Sequence, residues 1–202
     1  MPNWCNNNLV ITGDDLTKFK AMLNGKPFTF GAFFPTPKEL TDTVSGQVAD
    51  EGDARAKHEA QQKANVEKYG HADWYSWNIA NWGVKWDVDA EINHDTTSRM
   101  EISFDSAWAP PLTAIAQIGK MCPTLTFTLE YFECGMVFAG RYIVRGGEVT
   151  TDDSTESTKS DLWQEIAVGT FGYEPYEDDE EDADDEEDDI PDIAPSNEPK
   201  QL

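Results

Sequence analysis

The chain has 202 residues, with 39 acidic and 15 basic side chains and a formal net charge of −24 at pH 7. A surface with this charge repels a phosphate backbone, so we expect no direct binding to DNA or RNA. No stretch approaches about eighteen consecutive apolar residues, and no basic region with a following apolar run begins the chain. We therefore expect a cytoplasmic protein without a membrane partner.

Three cysteines, Cys5, Cys122 and Cys134, form no Cys-x-x-Cys pair, which favours reduced thiols over a disulfide framework. The three histidines lack the spacing of metal ligands, and no phosphate-binding glycine loop or His-Glu-x-x-His pair is present. We therefore expect no cofactor, no metal and no enzymatic activity. Cys5 becomes a candidate nucleophile only if a base lies beside it, and a small buried residue in a strand is the simpler interpretation.

Acidic residues dominate the C-terminal end. Residues 174–202 hold 15 acidic side chains and one basic side chain, and so carry −14 of the total charge. Mutual repulsion and the scarcity of apolar side chains predict a disordered tail. Its charge spacing of about 3.3 Å is close to the roughly 3.4 Å between phosphates of a DNA strand, so the tail is a candidate DNA mimic. The alternative is a tail that only aids solubility. The candidate partner-binding residues are Glu177, Asp178, Asp179, Glu180, Glu181, Asp182, Asp184, Asp185, Glu186, Glu187, Asp188 and Asp189.

In chain order, the first predicted elements are a strand over residues 4–12 and a helix over residues 16–23. Residues 28–40 contain four phenylalanines followed by Pro-Thr-Pro, which predicts a buried extended segment ending in a rigid bend. Residues 53–69 predict an exposed helix ended by Gly70. A second short helix, capped by Asp73, follows it.

Strict alternation over Lys85 to Asn93 predicts a strand, which forms a hairpin with a second strand around residues 100–104. Pro110-Pro111 opens a helix over residues 112–121. Two more strands are predicted over residues 125–133 and 136–144, separated by a turn at Cys134-Gly135.

This order predicts an α+β fold, a ferredoxin-like βαββαβ sandwich with one extra edge strand. The domain covers residues 1–149, with a helical insertion at 41–82. An acidic Ser/Thr-rich linker over about residues 150–160 leads to a short amphipathic segment that ends near residue 173. That segment either docks on the body or binds a partner.

Five separated motifs occur in the order found in a known family. They are Met-Pro-Asn-Trp-Cys with Asn8, the run from Pro35 to Leu40, Trp77 with the run from Asn81 to Asp87, Phe104 with the run from Ser106 to Pro111, and Glu-Cys-Gly at 133–135. In these motifs the chain resembles the YubB ferredoxin-like family, over residues 1 to about 145. The resemblance implies a ferredoxin-like fold and an origin in phages or plasmids, and it implies no established catalytic activity.

Six motif residues form a candidate groove: Trp77, Asn81, Trp82, Lys85, Trp86 and Trp108. One interpretation is an aromatic core with rigid turns, in which case Trp108→Ala would unfold the domain. The other is an aromatic-rimmed groove that receives a peptide, a base or a small ligand, with Lys85 selecting its charge.

The first functional hypothesis is a phage- or plasmid-encoded accessory protein that binds a host protein with a basic surface, such as a defence or nucleic-acid enzyme, through acidic and DNA-mimicking residues. The second is a ligand- or RNA-binding module that uses the tryptophan groove. The oligomeric state stays open.

Overall fold

The computed structural model describes residues 3–47 and 52–174 and contains one six-stranded antiparallel sheet. The strands are β1 (Trp4–Thr12), β2 (Ala90–Asp95), β3 (Arg99–Ala107), β4 (Thr126–Glu133), β5 (Phe138–Arg145) and β6 (Glu148–Thr155). The helices are α1 (Thr17–Leu23), α2 (Lys38–Thr41), α3 (Asp53–Tyr69), α4 (Trp74–Trp82), α5 (Leu112–Met121) and α6 (Asp161–Trp163), and a π-helix, Gln164–Thr170, continues α6. The predicted acidic tail, apart from Glu174, lies outside the described residues.

The strand order is β2-β3-β1-β4-β5-β6. The first four strands, with α1 and α5 as crossovers, form the ferredoxin-like βαββαβ unit, so the predicted fold class is confirmed. The predicted extra edge strand is β5, but it lies inside the sheet, because β6 pairs with its outer side.

The prediction of a linker from residue 150 is wrong, since residues 148–155 form strand β6. Gly146 and Gly147 both have positive φ, which permits the tight two-residue turn that returns the chain to pair Arg145 with Glu148. The strand was missed because its side chains are mostly exposed, so it has no apolar alternation. Exposed charges such as Asp152 and Asp153 are typical of a protected edge strand.

One face of the sheet carries the main core. Helices α1 and α5 and the phenylalanine-rich segment after α1 pack on it. Alternate residues of β1 point into this core, which explains why Cys5, Leu9 and Ile11 are buried while their neighbours are not. Burial of so many aromatic and aliphatic side chains supplies the main stabilisation of the domain.

The opposite face is partly covered by the C-terminal segment, residues 161–173. Trp163 and Ile166 pack against Phe132 of β4 and Ala139 of β5 in a second apolar cluster. The indole N–H of Trp163 donates to the carbonyl of Val137 at 3.3 Å. The amphipathic segment therefore docks on the body, and it stops short of β2 and β3.

Polar contacts also fix the C-terminal segment. Arg141 of β5 donates from Nη2 to Glu165 and to Glu130, in both cases at 2.7 Å. The hydrogen bond to Glu165, then that to Glu130, raises the pKa of the Arg141 guanidinium. Thr170 donates to the second oxygen of Glu130 at 2.7 Å, so both ends of the π-helix are tied to the sheet.

The predicted insertion contains the two predicted helices. Gly70 ends α3 in a left-handed conformation, and the side chain of Asp73 caps α4 by accepting from the Ser76 backbone N–H at 2.9 Å. Asn65 of α3 donates to the Thr43 hydroxyl and to the Ala72 carbonyl, both at 2.9 Å, and so ties α3 to the segments on either side of it.

The predicted strand from Lys85 to Asn93 starts five residues late, at Ala90. The cause is Asp87, whose carboxylate accepts from the backbone N–H groups of Phe30 at 2.6 Å, Gly31 at 3.0 Å and Val88 at 2.9 Å. The bonds from Phe30 and Gly31 attach the segment to the short 3-10 helix Phe30–Ala32 after α1 instead of to a neighbouring strand.

Candidate functional site

The part of the sheet that the C-terminal segment leaves uncovered is polar. Alternate residues of β1 and β3 point to this face, where Asn6 pairs with Asp105 and Asn8 pairs with Ser103. Glu91 of β2 pairs in turn with Ser103. A ferredoxin-like sheet thus presents carboxylates and amides on the surface opposite its helices.

Two adjoining cavities of about 290 Å³ and 280 Å³ lie along this face, and both are lined by Asp89 and Asp105. One cavity reaches Phe171 in the C-terminal segment, and the other reaches Trp4 at the start of β1. We call this surface the acidic hollow and define it by Trp4, Asn6, Asp89, Glu91, Ser103, Asp105 and Phe171.

The negative charge of the hollow is largely uncompensated. Asp105 accepts a hydrogen bond from the Asn6 amide at 2.7 Å. Within residues 3–47 and 52–174, none of Asp89, Glu91 and Asp105 forms a salt bridge. Three exposed carboxylates on a concave surface concentrate negative potential and attract cations or basic side chains.

Large apolar side chains converge beside the hollow. Five of the twelve exposed large apolar side chains among the described residues, each 40–48% exposed, come from four separate segments. We call them the aromatic ridge: Trp4, Tyr75, Ile79, Trp86 and Trp108.

Contacts connect the members of the ridge. The rings of Trp4 and Trp86 are 6.2 Å apart, and Lys85 Nζ lies 3.7 Å from the Trp86 ring centroid in a cation–π contact. Lys85 also lines a cavity of about 240 Å³ together with Tyr75, Ile79 and Trp108. Because Trp4 lines the acidic hollow too, the apolar and acidic surfaces are continuous.

The structure divides the predicted groove residues into two sets. Trp82 is only 4% exposed, and its indole N–H donates to the Phe34 carbonyl at 3.0 Å. Trp77 packs edge-on against Trp82 at 5.8 Å, and the Asn81 amide donates to the Trp77 carbonyl within α4 at 2.9 Å. The placement of Trp82 in a groove is therefore wrong, because this ring completes the core.

The second set is Lys85, Trp86 and Trp108, of which the two tryptophans belong to the ridge and Lys85 lies beside them. Trp108 is 48% exposed, so the core interpretation does not hold for it, and the unfolding expected for Trp108→Ala stays a prediction. Its φ is 73°, a left-handed conformation that costs a bulky residue about 1–2 kcal/mol. The Trp108 backbone N–H donates to the Asn3 carbonyl at 3.0 Å, which helps to hold that conformation.

Cys5 is fully buried in β1, as the sequence indicated. Burial, followed by the nearby negative charges of Glu133 and Asp105, raises the pKa of the thiol to about 12, and the nearby Ser106 side chain offsets this only in part. A thiol with this pKa stays protonated at neutral pH, so it is a poor nucleophile.

The sequence pattern did not predict most residues of the acidic hollow and the aromatic ridge. The alternation of Asp87, Asp89 and Glu91 was visible, but Asp105 is brought beside them only by the pairing of β3 with β1 and β2. The tail candidates from Glu177 to Asp189 lie outside the described residues.

Two further properties bear on the site. Among residues 3–47 and 52–174, no three His, Cys, Asp or Glu side chains are grouped so as to hold a metal ion. No helix in the described part of the chain combines the length and apolar character needed to cross a bilayer.

A domain family described as "Ferredoxin-like domain in Api92-like protein" matches residues 81–201. The chain belongs to this family. The match begins at the end of α4 and includes all strands from β2 to β6, whereas β1 and α1 precede it. The family description states a fold and no activity. Asp89, Glu91 and Asp105 of the acidic hollow lie within the matched region, whereas Trp4 and Asn6 of β1 lie outside it.

A solved structure of similar fold is the crystal structure of the protein Api92 from Yersinia pseudotuberculosis. It is 9% identical, with a TM-score of 0.47, and the comparison covers 77% of this chain and 98% of that chain. No curated protein matches the chain.

Proposed function

We propose that this Api92-like protein is a phage- or plasmid-encoded accessory protein that acts in the cytoplasm of the host by binding a host protein with a basic surface. The observation that carries the proposal is the acidic hollow, where Asp89, Glu91 and Asp105 stand together on an uncovered sheet face without basic neighbours in ion-pair contact among the described residues. Opposite charge steers a basic partner to such a surface.

The position of the acidic run in the sequence also supports the proposal. Phe171 lines the hollow, and Glu177 follows it by six residues in the sequence. The acidic run from Glu177 to Asp189 therefore starts close to the hollow along the chain. Because the hollow and the acidic run belong to one chain, a partner that binds one of them meets the other at a high effective concentration.

The proposal includes competition with nucleic acid. In an extended conformation the acidic run would have about the charge spacing of a DNA strand, so a partner that normally grips DNA or RNA is the expected class. The resemblance to the YubB ferredoxin-like family supports an origin in a mobile element. The alternative, RNA binding through the tryptophans, is disfavoured because the exposed rings adjoin the carboxylates of the hollow, which repel phosphates.

The test is a pull-down from host lysate with the full chain as bait. The informative variant is Asp89→Asn/Glu91→Gln/Asp105→Asn, which removes the charge of the hollow with little change in shape. The matched control, Asp42→Asn/Asp53→Asn/Glu59→Gln, removes the same charge from exposed positions near and within α3. We expect the wild type and the control to retain a partner that added salt or DNA displaces, and the hollow variant to lose it. Equal retention by all three proteins, or no retained partner, contradicts the proposal.

A further inference from the structure

We propose that the aromatic ridge is the docking surface for one large apolar side chain of the partner, carried on a basic segment whose lysine or arginine neighbours face the acidic hollow. The inference rests on the proposed function and deepens it. It names a second contact surface on this protein and the chemical character of the partner segment that binds there.

The ridge has the shape and composition of an apolar anchor site. Its cavity of about 240 Å³ is formed by Tyr75 and Ile79 on the outer face of α4 and by Trp108 after β3. Protein interfaces place a few aromatic or aliphatic anchors in such pockets, and those anchors carry most of the binding energy. The cavity is large enough for one leucine- or phenylalanine-sized side chain.

Charge decides which occupant fits. Trp4 contacts Trp86 of the ridge and lines a cavity with Asp89 and Asp105, so a segment that extends from the ridge along the sheet reaches these carboxylates. Lys85 is the charged side chain that lines the ridge cavity itself. A second copy of the chain would bring residues 1–173, with 24 acidic and 14 basic side chains, against a like charge. The chain's own tail carries a higher density of negative charge and is repelled more strongly. A basic segment is the occupant that this surface attracts.

The backbone at Trp108 supports a role in binding. An exposed residue with φ of 73° would ordinarily be glycine or asparagine, because a large side chain is strained there. The ring is half exposed, so burial only partly offsets the strain. Strain of this kind is retained where a side chain must be presented in a fixed place.

The experiment uses two lysine-rich peptides that differ only at a central residue, leucine or alanine, titrated into the full chain by fluorescence anisotropy. A third peptide with glutamates in place of the lysines reports charge preference. The ridge variant is Trp108→Gly, which removes the ring and relieves the backbone, so the fold is retained. The control is Met136→Ala, an exposed side chain on the turn between β4 and β5.

We expect the leucine peptide to bind the wild type and Met136→Ala about tenfold more tightly than the alanine peptide, since leucine buries more apolar surface. Trp108→Gly is expected to bind the two lysine peptides equally. Asp89→Asn/Asp105→Asn, which removes charge from the hollow, should weaken the binding of both lysine-rich peptides by the same factor. Equal binding of the two peptides by the wild type, or discrimination that survives Trp108→Gly, overturns the docking surface. Failure of the lysine peptides to bind better than the glutamate peptide counts against the proposed function instead.

Two measurements separate the other occupants. If the ridge joins two copies, sedimentation shows a dimer that Trp108→Gly dissociates. If the tail fills the cavity, Ile190→Ser/Ile193→Ser raises the ratio of the leucine peptide's affinity to that of the alanine peptide severalfold. Either result overturns the inference, which predicts a monomer under these conditions and an unchanged ratio.

Discussion

Lys85 holds its ammonium nitrogen 3.7 Å from the centroid of the Trp86 ring. The same side chain lines the ridge cavity together with Trp108, so it is shared between the Trp86 contact and that cavity. A cation of the protein itself thus occupies a ring face that a partner's cation would otherwise use. A basic partner that binds at this ring would therefore compete with Lys85, and the charge-selecting role that the sequence suggested for Lys85 stays a prediction.

Lys85→Gln is expected to tighten the binding of the lysine-rich leucine peptide by roughly two- to fivefold, because it frees the Trp86 ring and removes a repelling charge. Fluorescence anisotropy of the labelled peptide measures the change. Lys57→Gln, which removes one charge from α3, is the control and should change binding far less. Weaker binding by Lys85→Gln would show that Lys85 contributes to the site directly.

Asp87 fixes the segment that carries the hollow and the ridge. Replacing it by alanine leaves three backbone N–H groups without their acceptor, so Asp87→Ala is expected to lower the free energy of unfolding by about 2–4 kcal/mol. Urea denaturation monitored by circular dichroism measures this loss. Asp89→Ala is the control two residues away, where an exposed carboxylate should change stability by less than about 0.5 kcal/mol. Similar losses in both variants would contradict the assigned role of Asp87.

Trp163 anchors the C-terminal segment to the sheet. Its side chain is fully buried against Phe132, so Trp163→Ala should cost about 3–5 kcal/mol and release the segment. Limited proteolysis should then cut within residues 156–173 well before the ferredoxin-like unit, whereas the wild type resists. Val168→Ala, on an exposed position of the π-helix, serves as control. If Trp163→Ala keeps the wild-type digestion pattern, the segment is held by other contacts.

Cys5 predicts a loss of stability at alkaline pH. The folded thiol has a pKa of about 12, against 9.0 for the solvent-exposed thiol of an unfolded chain, so the stabilisation by the buried neutral thiol is complete below pH 9 and is lost as pH rises towards 12. The decline in the midpoint of urea unfolding between pH 8 and about pH 10.5 should therefore be smaller in Cys5→Ala than in the wild type. An identical pH dependence in the two proteins would show that Cys5 is not the group responsible.

The thiols also provide a direct reactivity test. Cys134 is exposed, whereas Cys5 and Cys122 are buried and have raised pKa values. A thiol reagent at pH 8 should modify Cys134 rapidly and the other two only after unfolding. Peptide mapping by mass spectrometry identifies the modified residue. Rapid labelling of Cys5 in the native protein would reopen the nucleophile interpretation.

The sequence predicted the regular elements well where their apolar periodicity was strong. Strand β1 and helix α5 lie close to their predicted ranges for this reason, whereas α3 has little apolar periodicity and was predicted from its helix-forming composition and from Gly70 at its end. The βαββαβ order follows from the predicted strands and helices. Strand β6 was taken for a linker because an edge strand exposed to solvent needs no apolar alternation. The late start of β2 depends on Asp87 binding a loop more than fifty residues away in the chain, which no local pattern encodes.

The site was harder to predict than the fold. The six candidate groove residues were grouped because they occur in the family-like motifs. In the structure, helix α4 places Trp82 in the core, whereas the segment after it exposes Trp86. The acidic hollow depends on register, since Asp105 meets Asn6 and Asp89 only after three strands have paired. Trp108 could be recognised as a motif residue, while its exposure and left-handed backbone are visible only in three dimensions.

The salt dependence of binding tests the central claim most directly. The affinity of the full chain for the lysine-rich leucine peptide, or for a captured partner, is measured over a series of salt concentrations for the wild type and for Asp89→Asn/Glu91→Gln/Asp105→Asn. If the hollow is a binding surface for basic groups, the wild type loses affinity steeply with salt and the variant binds more weakly with a shallower slope. Coinciding slopes and affinities would show that the acidic face of the sheet takes no part in binding.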